Sequence, residues 1–224
     1  MNVEYHIISL QNSHDRIQNI ETIQNKIQQK LHIFPAIDGN QIDFNSQNDV
    51  NIKYRYKYKG EIGCFLSHYY LLKSLVNSDC DYHVIFEDDA QILCDNLHEQ
   101  IIATVNENFD FFFLGYLTKC LYSKRQTVHH HYGTHGYIVN TKSIPKILDL
   151  LSNAYSEIDI QIFRACSSKQ YQISGHFFKP FLVGICNFKS QIRYNSILPS
   201  KLKEPHKLNK VHKDQLFRFK KLKK

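Results

Sequence analysis

Apolar and polar positions along the chain switch between a period near two and a period near 3.6. This predicts strands interleaved with helices. Residues 3–10 carry the β-branched and aromatic mix of a strand. Residues 14–30 follow, with Ile17, Ile20, Ile23 and Ile27 near helical spacing and Ser13 placed to cap them. A short apolar run at 31–34 is stopped by Pro35 and turned at Asp38 and Gly39. The polar stretch 40–51 reads as a loop. Residues 60–77 give the clearest helix, because Ile62, Phe65, Leu66, Tyr69, Leu72 and Val76 share one face. Residues 82–86 show little polar alternation, as a central parallel strand covered on both sides should. Further on, the pattern predicts a helix at 97–105, strands at 110–114 and 137–139, and helices at 141–151 and 156–165. Pro145 falls in the first turn of its helix, where proline is tolerated, and residues 177–185 look extended. Strands alternating with helices predict an α/β fold with a mainly parallel sheet, and such sheets bind ligands beyond the carboxyl ends of their strands.

Composition narrows the class. A chain of 224 residues with 42% apolar content can bury one sizeable core. The net charge of +7 is not spread evenly. Residues 201–224 hold ten Lys/Arg against two Asp/Glu, a net of +8, which leaves −1 on the first 200. The expected organisation is one catalytic domain over 1–200 and a basic tail over 201–224. The tail, with Phe217 and Phe219, suits an anionic membrane surface or an acidic partner as well as plain solvation. A near-neutral domain argues against a dedicated nucleic-acid binder. The six cysteines show no metal-knuckle or redox spacing, and neither a signal peptide nor a membrane-length apolar stretch is visible. The expectation is a soluble, cytoplasmic protein with buried thiols, peripheral to a membrane at most. The richness in Asn, Ile and Lys fits a low-GC bacterial or large-DNA-virus genome.

The apolar run 82–86 leads directly into Glu87, Asp88 and Asp89. Three adjacent carboxylates at a strand end repel one another and are partly desolvated, which is costly unless a cation offsets them. Hard divalent ions prefer such oxygens, and a metal there can hold a diphosphate. A solvated acidic loop with helix-capping side chains is the competing reading, and the two stand near even on physics alone. Arg16 would steady a phosphate or pair with a carboxylate. Asp38 and Gly39 would flank a ligand or simply make a turn. Ser67 and His68 are adjacent on a helix, so they point about 100° apart. His129, His130, His131 and His135 form a dense cluster, but Gly133 argues against a helical zinc pair. Ser156 and Asp159 bracket a helix start in the manner of a capping box.

Several ordered segments together resemble family 25 glycosyltransferases, which include lipooligosaccharide galactosyltransferases and procollagen galactosyltransferases. They are Ile7, Ile8, Ser9 and Leu10 with Asp15 and Arg16; Phe-Pro-Ala-Ile-Asp-Gly at 34–39; Gly-Glu-Ile-Gly-Cys-Phe-Leu-Ser-His at 60–68; Ile-Phe-Glu-Asp-Asp-Ala at 85–90; and Gly-Thr-His-Gly-Tyr-Ile-Val at 133–139. The segment at 60–68 is the most specific, and the similarity spans roughly residues 5–165. Beyond residue 177 only a loose echo remains at 189–192, where Gln191 stands in place of the acidic residue often found in the family.

The resemblance implies a single-domain α/β, GT-A-like fold, related to the Rossmann type, with a mixed sheet flanked by helices. It implies a metal, usually Mn2+, bridging to a donor diphosphate, with Asp89 and Glu87 as ligands and His135 as a further candidate. Ser9, Leu10, Arg16, Asp38, Gly60, Ser67, His68 and Glu87 would contact the nucleotide sugar. Asp88 would orient the metal, its waters or the sugar. Family members are generally inverting, and Asp159 is the candidate base. The activity so implied is metal-assisted transfer of galactose or glucose from a UDP-sugar to a hydroxyl of a glycan or glycosylated protein. A metal-dependent nuclease or phosphoesterase, and a non-catalytic nucleotide-sugar-binding module, are the competing classes.

Overall fold

The computed structural model describes residues 2–11, 13–42, 49–54, 56, 58–105, 108–115, 117–122, 127–178, 181–188 and 192, with side chains left out at 117–132 and 169. The basic tail at 201–224 and residues 189–191 lie outside the described residues. The side chains of His129, His130 and His131 do as well. In chain order the strands and helices are β1 (Val3–Ser9), α1 (His14–Ile27), β2 (Leu31–Pro35), β3 (Asn51–Ile52), α2 (Lys59–Leu75), β4 (Tyr82–Glu87), β5 (Ala90–Ile92), α3 (Leu97–Thr104), β6 (Phe111–Phe113), β7 (Leu117–Tyr122), β8 (Thr127–Tyr132), β9 (Gly136–Asn140), α4 (Ile144–Leu151), β10 (Asn153–Ala154), α5 (Ile158–Ser167), β11 (Gly175–Phe177) and β12 (Val183–Ile185).

Six strands form the central sheet in the order β11-β6-β9-β4-β1-β2. β4, β1 and β2 pair in parallel, as do β6 and β11, while β9 runs antiparallel to both β4 and β6. The sheet is therefore mixed, with its one reversed strand in the interior. Alternation along the strands sends side chains to two cores. Ile8, Ile85, Phe113 and Val139 face α2, α4 and α5, whereas Tyr5, Ile7, Val84, Phe86 and Ile138 face α1 and α3. Each fully buried Leu, Ile or Phe contributes about 1.5–3 kcal/mol of burial free energy.

Several boundaries differ from the sequence expectation for local reasons. α1 ends at Ile27 because Gln28 turns left-handed (φ 51°) and gives its N–H to Gln24 O. Ser13 occupies the cap position of α1 without a side-chain cap bond. The helix expected at 141–151 begins with a 3-10 turn, Thr141–Ser143, before α4. α2 is buried on more than one face: Gly63, Ser67, His68 and Leu71 are covered along with the predicted stripe. It lies between the sheet, α4, α5 and the segment 36–41, so little of its circumference meets water. Residues 177–185 are not one extended run, since β11 and β12 join different sheets. The predicted capping box at Ser156 does not form. Glu157 occupies the N-cap position of α5 without a side-chain cap bond, and Asp159 accepts from the N–H of Ile160 and from that of Gly133 instead.

Among the described residues, no helix is long and apolar enough to cross a membrane. Cys64, Cys80, Cys94, Cys166 and Cys186 are free thiols, half-buried rather than fully buried.

Candidate functional site

β1 and β4 are adjacent and parallel, so their carboxyl ends open side by side, with Ile8 paired to Glu87. The turn after β4 then carries Asp88 and Asp89. β2 ends beside β1, and the chain leaving it, Ala36 to Asn40, meets the start of α2. Between these elements lies a cleft of about 660 Å³, including its open side. Ser9, Leu10, Arg16, Asp38, Gly60, Ser67, His68, Glu87, Asp88 and Asp89 all line it. The structure thus gathers ten of the predicted site residues from four separate stretches of sequence.

Two glycine contacts shape the cleft wall. A Cβ on Gly39 would stand 1.8 Å from Lys59 O, and one on Gly63 would stand 2.4 Å from Ile37 O. The segment 36–41 is therefore pressed against the first turns of α2, closer than any side chain allows. Ser67 seals the contact, since its Oγ donates to Gly63 O (2.6 Å) and accepts from Ile37 N (2.8 Å). Asp38 accepts from the Asn40 N–H at 2.9 Å and caps a short 3-10 turn at Gly39–Gln41. Gly39 has no positive φ; backbone approach, not the turn itself, requires glycine there.

The acidic run is held from both sides. Asp88 is buried; its Oδ2 accepts from Ser9 Oγ at 2.6 Å, and its Oδ1 accepts from Arg16 Nη1. Arg16 Nη2 reaches Asp89 Oδ2 at 3.2 Å. Asn19, one turn along α1, donates to the carbonyls of Asp88 (3.0 Å) and Ala90 (2.8 Å) and fixes the turn itself. Glu87 and Asp89 each keep 22% of their side-chain surface exposed, at the cleft. Glu87 Oε1 accepts from Thr134 Oγ1 at 2.6 Å and lies 3.3 Å from His68 Nε2, whose other nitrogen lies 3.0 Å from the Tyr137 hydroxyl.

These surroundings drive neighbouring carboxyls apart. Burial alone would raise Glu87, but the hydrogen bond and charge of His68, then Thr134 and His135, outweigh it and bring the carboxyl down to about 2. Burial and then the charge of Glu87 push Asp89 up to about 7, against the pull of Arg16. Asp89 Oδ1 is buried with no hydrogen-bond partner. An orphaned carboxylate oxygen beside two other carboxylates, in an open cleft, is a donor set suited to a hard divalent cation.

His135 and Asp159 are not among the residues lining the cleft. His135 is buried, bonded to the backbone of Val183, and its Nδ1 has no partner. The groups whose ligand atoms lie within 4.8 Å of one another here are Cys64, His68 and Glu87, rather than the expected Glu87, Asp89 and His135. The physical reason is orientation, since Asp89 turns to Arg16 and His135 to Val183. Asp159 Oδ2 accepts from Gly133 N at 2.8 Å, and burial pushes its carboxyl up to about 6 against that bond and the one from Ile160.

Sequence reasoning passed over Asn19, Cys64, Thr134 and Tyr137. Asn19 follows Arg16 by three residues on α1 and so shares its face, a spacing that would have found it. Cys64, Thr134 and Tyr137 sit inside the recognised segments but carry no chemical signal until Glu87 and His68 are placed beside them.

Comparison with known proteins bears on the family of the chain. A family model described as glycosyltransferase family 25 (LPS biosynthesis protein) matches residues 2–162. The lipooligosaccharide biosynthesis protein lex-1 of Haemophilus influenzae is 28% identical over 179 residues, covering 69% of this chain and 58% of that protein. Procollagen galactosyltransferase 1-A of Xenopus laevis is 23% identical over 172 residues, covering 65% and 28%. A glycosyltransferase 25 family member of Aedes aegypti is 34% identical over 71 residues, covering 27% and 12%. The chain thus spans between 12% and 58% of the length of these relatives. Among solved structures, a Drosophila β1,4-galactosyltransferase 7 in complex with manganese, UDP-Gal and xylobiose aligns with TM-score 0.42 and 12% identity, covering 80% of this chain and 66% of that one. The helix-flanked mixed sheet, with its acidic run at the carboxyl end of an interior strand, is the GT-A-like α/β arrangement anticipated from the sequence.

Proposed function

The chain belongs to glycosyltransferase family 25, and on that premise we propose that its cleft binds a UDP-sugar and transfers the hexose, galactose or glucose, to a hydroxyl of a glycan or glycosylated protein. The observation that carries this reading is the acidic cluster in its cleft: Asp89 Oδ1 lacks any partner while Glu87 and Asp88 are already engaged. Asp89, through its unpartnered Oδ1, and Glu87 would hold a divalent cation such as Mn2+. The ion would offset negative charge growing on the departing diphosphate. Asp88 acts on Arg16: with both its oxygens occupied, it fixes the guanidinium at the cleft, where a phosphate can meet it. His68, set between Tyr137 and Glu87, keeps Glu87 ionised and aimed. The segment 36–41 and the first turn of α2, with Asp38 and Gly60, supply the wall against which the nucleotide lies. Asp159 is the proposed base for the acceptor hydroxyl, in an inverting displacement; burial leaves it poised to exchange a proton near neutral pH.

The test is UDP release. Purified protein with Mn2+ and UDP-galactose or UDP-glucose should liberate UDP, and Asp89→Ala should lower the rate by at least about a hundredfold, the scale of losing one electrostatic group at a reacting centre. Release that is unchanged in Asp89→Ala overturns the cation assignment, and absence of release with every UDP-sugar tried overturns the donor.

A further inference from the structure

A second cluster of ligand-type side chains lies at the opposite end of the same two strands. Glu4 and His6 stand on β1 and His83 on β4, with Glu4 directly paired to His83 across the parallel ladder. Because side chains alternate along a strand, all three point to the α2 face of the sheet. His6 and His83 are buried, and Glu4 keeps 37% of its side-chain surface. His6 Nε2 and His83 Nδ1 are 3.1 Å apart, and Glu4 Oε2 lies 3.7 Å from the first and 3.6 Å from the second. A triangle with those edges has a centre about 2.0 Å from each corner, which is the length of a zinc–nitrogen or zinc–oxygen bond. Cys80, in the connection from α2 to β4, is close enough to Glu4 for that carboxylate, after burial, to raise its thiol. It would have to turn inward to join Glu4, His6 and His83, whose ligand atoms lie within 4.8 Å of one another without it.

As a set of hydrogen bonds the cluster is poorly matched. Only one proton fits between the two imidazoles, and His83 Nε2 has no partner at all. One proton shared by the two facing nitrogens leaves none for the Glu4 carboxylate beside them, whereas a cation at the centre would use both facing lone pairs and the carboxylate together, without touching His83 Nε2 on the far side of the ring. Burial, and then the neighbouring His83 and His32, hold His6 far below the usual imidazole range, to about 3, and burial also lowers His83. Both rings are therefore neutral at physiological pH, the form a metal requires. Glu4 at the surface leaves an entry path.

We propose that Glu4, His6 and His83, joined by Cys80 turning in as fourth ligand, form a zinc site that clamps the amino ends of β1 and β4. Two imidazoles, a carboxylate and a thiolate select a borderline ion such as Zn2+ over the hard cation suited to the acidic cleft. Four protein ligands make a closed, structural site with no open position for chemistry. The Cys80 proton leaves to solvent as the thiolate binds.

The probes are Zn2+ and Co2+, added to the full chain after chelator treatment and dialysis. One equivalent of Zn2+ should bind, raise the thermal midpoint, and remain bound in Asp89→Ala, which separates this site from the cleft. The Co2+ form should show tetrahedral absorption with a thiolate charge-transfer band, and that band should vanish in Cys80→Ser. Glu4→Gln, at a half-exposed position that threatens the fold little, should weaken Zn2+ by more than the roughly 10–100-fold that loss of an outer-shell partner costs. His83→Gln should abolish binding. A wild-type chain that takes up no Zn2+, or Zn2+ binding unchanged in Glu4→Gln, overturns the site. Persistence of the charge-transfer band in Cys80→Ser overturns the fourth ligand.

Discussion

At the scale of single residues, the cleft is defined by carboxylates given unlike environments. Asp88 has both oxygens satisfied, Glu87 is held ionised by His68 and Thr134, and Asp89 keeps one buried oxygen without a partner. A buried carboxylate oxygen left without a partner costs stability. Asp89→Asn removes a buried charge next to two others, so without added cation it should unfold later, by roughly 0.5–2 kcal/mol in chemical denaturation, while losing the stabilisation that Mn2+ gives the parent. A variant less stable than the parent in the absence of cation would show that Arg16 already compensates Asp89 fully. Asp159 permits a pH test with a definite sign. Its folded value, about 6, lies above the ordinary 3.8, so its ionised form is present only above that value. If it takes the acceptor proton, sugar transfer to the acceptor, read as acceptor-dependent UDP release, should rise about tenfold per pH unit below 6 and level off above it. Because its folded value lies above its unfolded one, its contribution to stability should decline as pH rises from 3.8 to about 6 and stay constant outside that window. An Asp159→Asn protein with an unshifted pH profile would remove Asp159 from the mechanism.

At the scale of elements, the two most recognisable sequence segments prove to be two halves of one contact. Residues 34–39 and 60–68 are far apart in sequence, yet Gly39 meets Lys59 and Gly63 meets Ile37 backbone to backbone. Their pairing was invisible to periodicity, which sees only the helix and the turn. Gly63→Ala adds a Cβ 2.4 Å from Ile37 O, and the gain of about 0.8–1.0 kcal/mol in helix propensity does not offset it. The expected net loss is about 1–3 kcal/mol, read as a lower urea midpoint at unchanged slope, with weaker UDP binding because the cleft wall moves. A midpoint equal to or above the parent's would mean that the segment 36–41 yields freely. Strand and helix positions were legible because amphipathic periods are local. Termination was less so: Gln28 ends α1 through one left-handed dihedral, and α5 begins after Glu157 with no side-chain cap, neither of which a hydrophobic pattern encodes.

At the scale of the whole molecule, the parallel pair β1 and β4 joins two polar clusters at opposite ends of one buried ladder. Ligands at the carboxyl end should therefore stabilise the entire domain. With UDP and Mn2+ at a hundred times the dissociation constant, linkage predicts about 2.7 kcal/mol of added stability. A thermal shift of that origin should grow with ligand concentration in the parent and be absent in Asp89→Ala. A shift that persists in that variant would place UDP outside the acidic cleft.

The sequence by itself determined the order of the central strands β1, β4, β6 and β9 and of the helices, though not the short strands β3, β5, β7, β8 and β10. It also determined the acidic run at the end of β4 and most residues that line the cleft. Each depends on local periodicity, or on a short segment whose chemistry is carried by neighbours in the chain. The tertiary structure decided how those residues divide the work. Whether Asp88 or Asp89 keeps an oxygen unpaired depends on Ser9 and Arg16, more than seventy residues away. That Asp159, on α5, and His135 are not among the residues lining the cleft depends on how α5 and the chain before β9 pack, and that Glu4, His6 and His83 converge follows from the register of β1 against β4. Register is set by how the whole sheet buries its two faces, and no single segment contains that information.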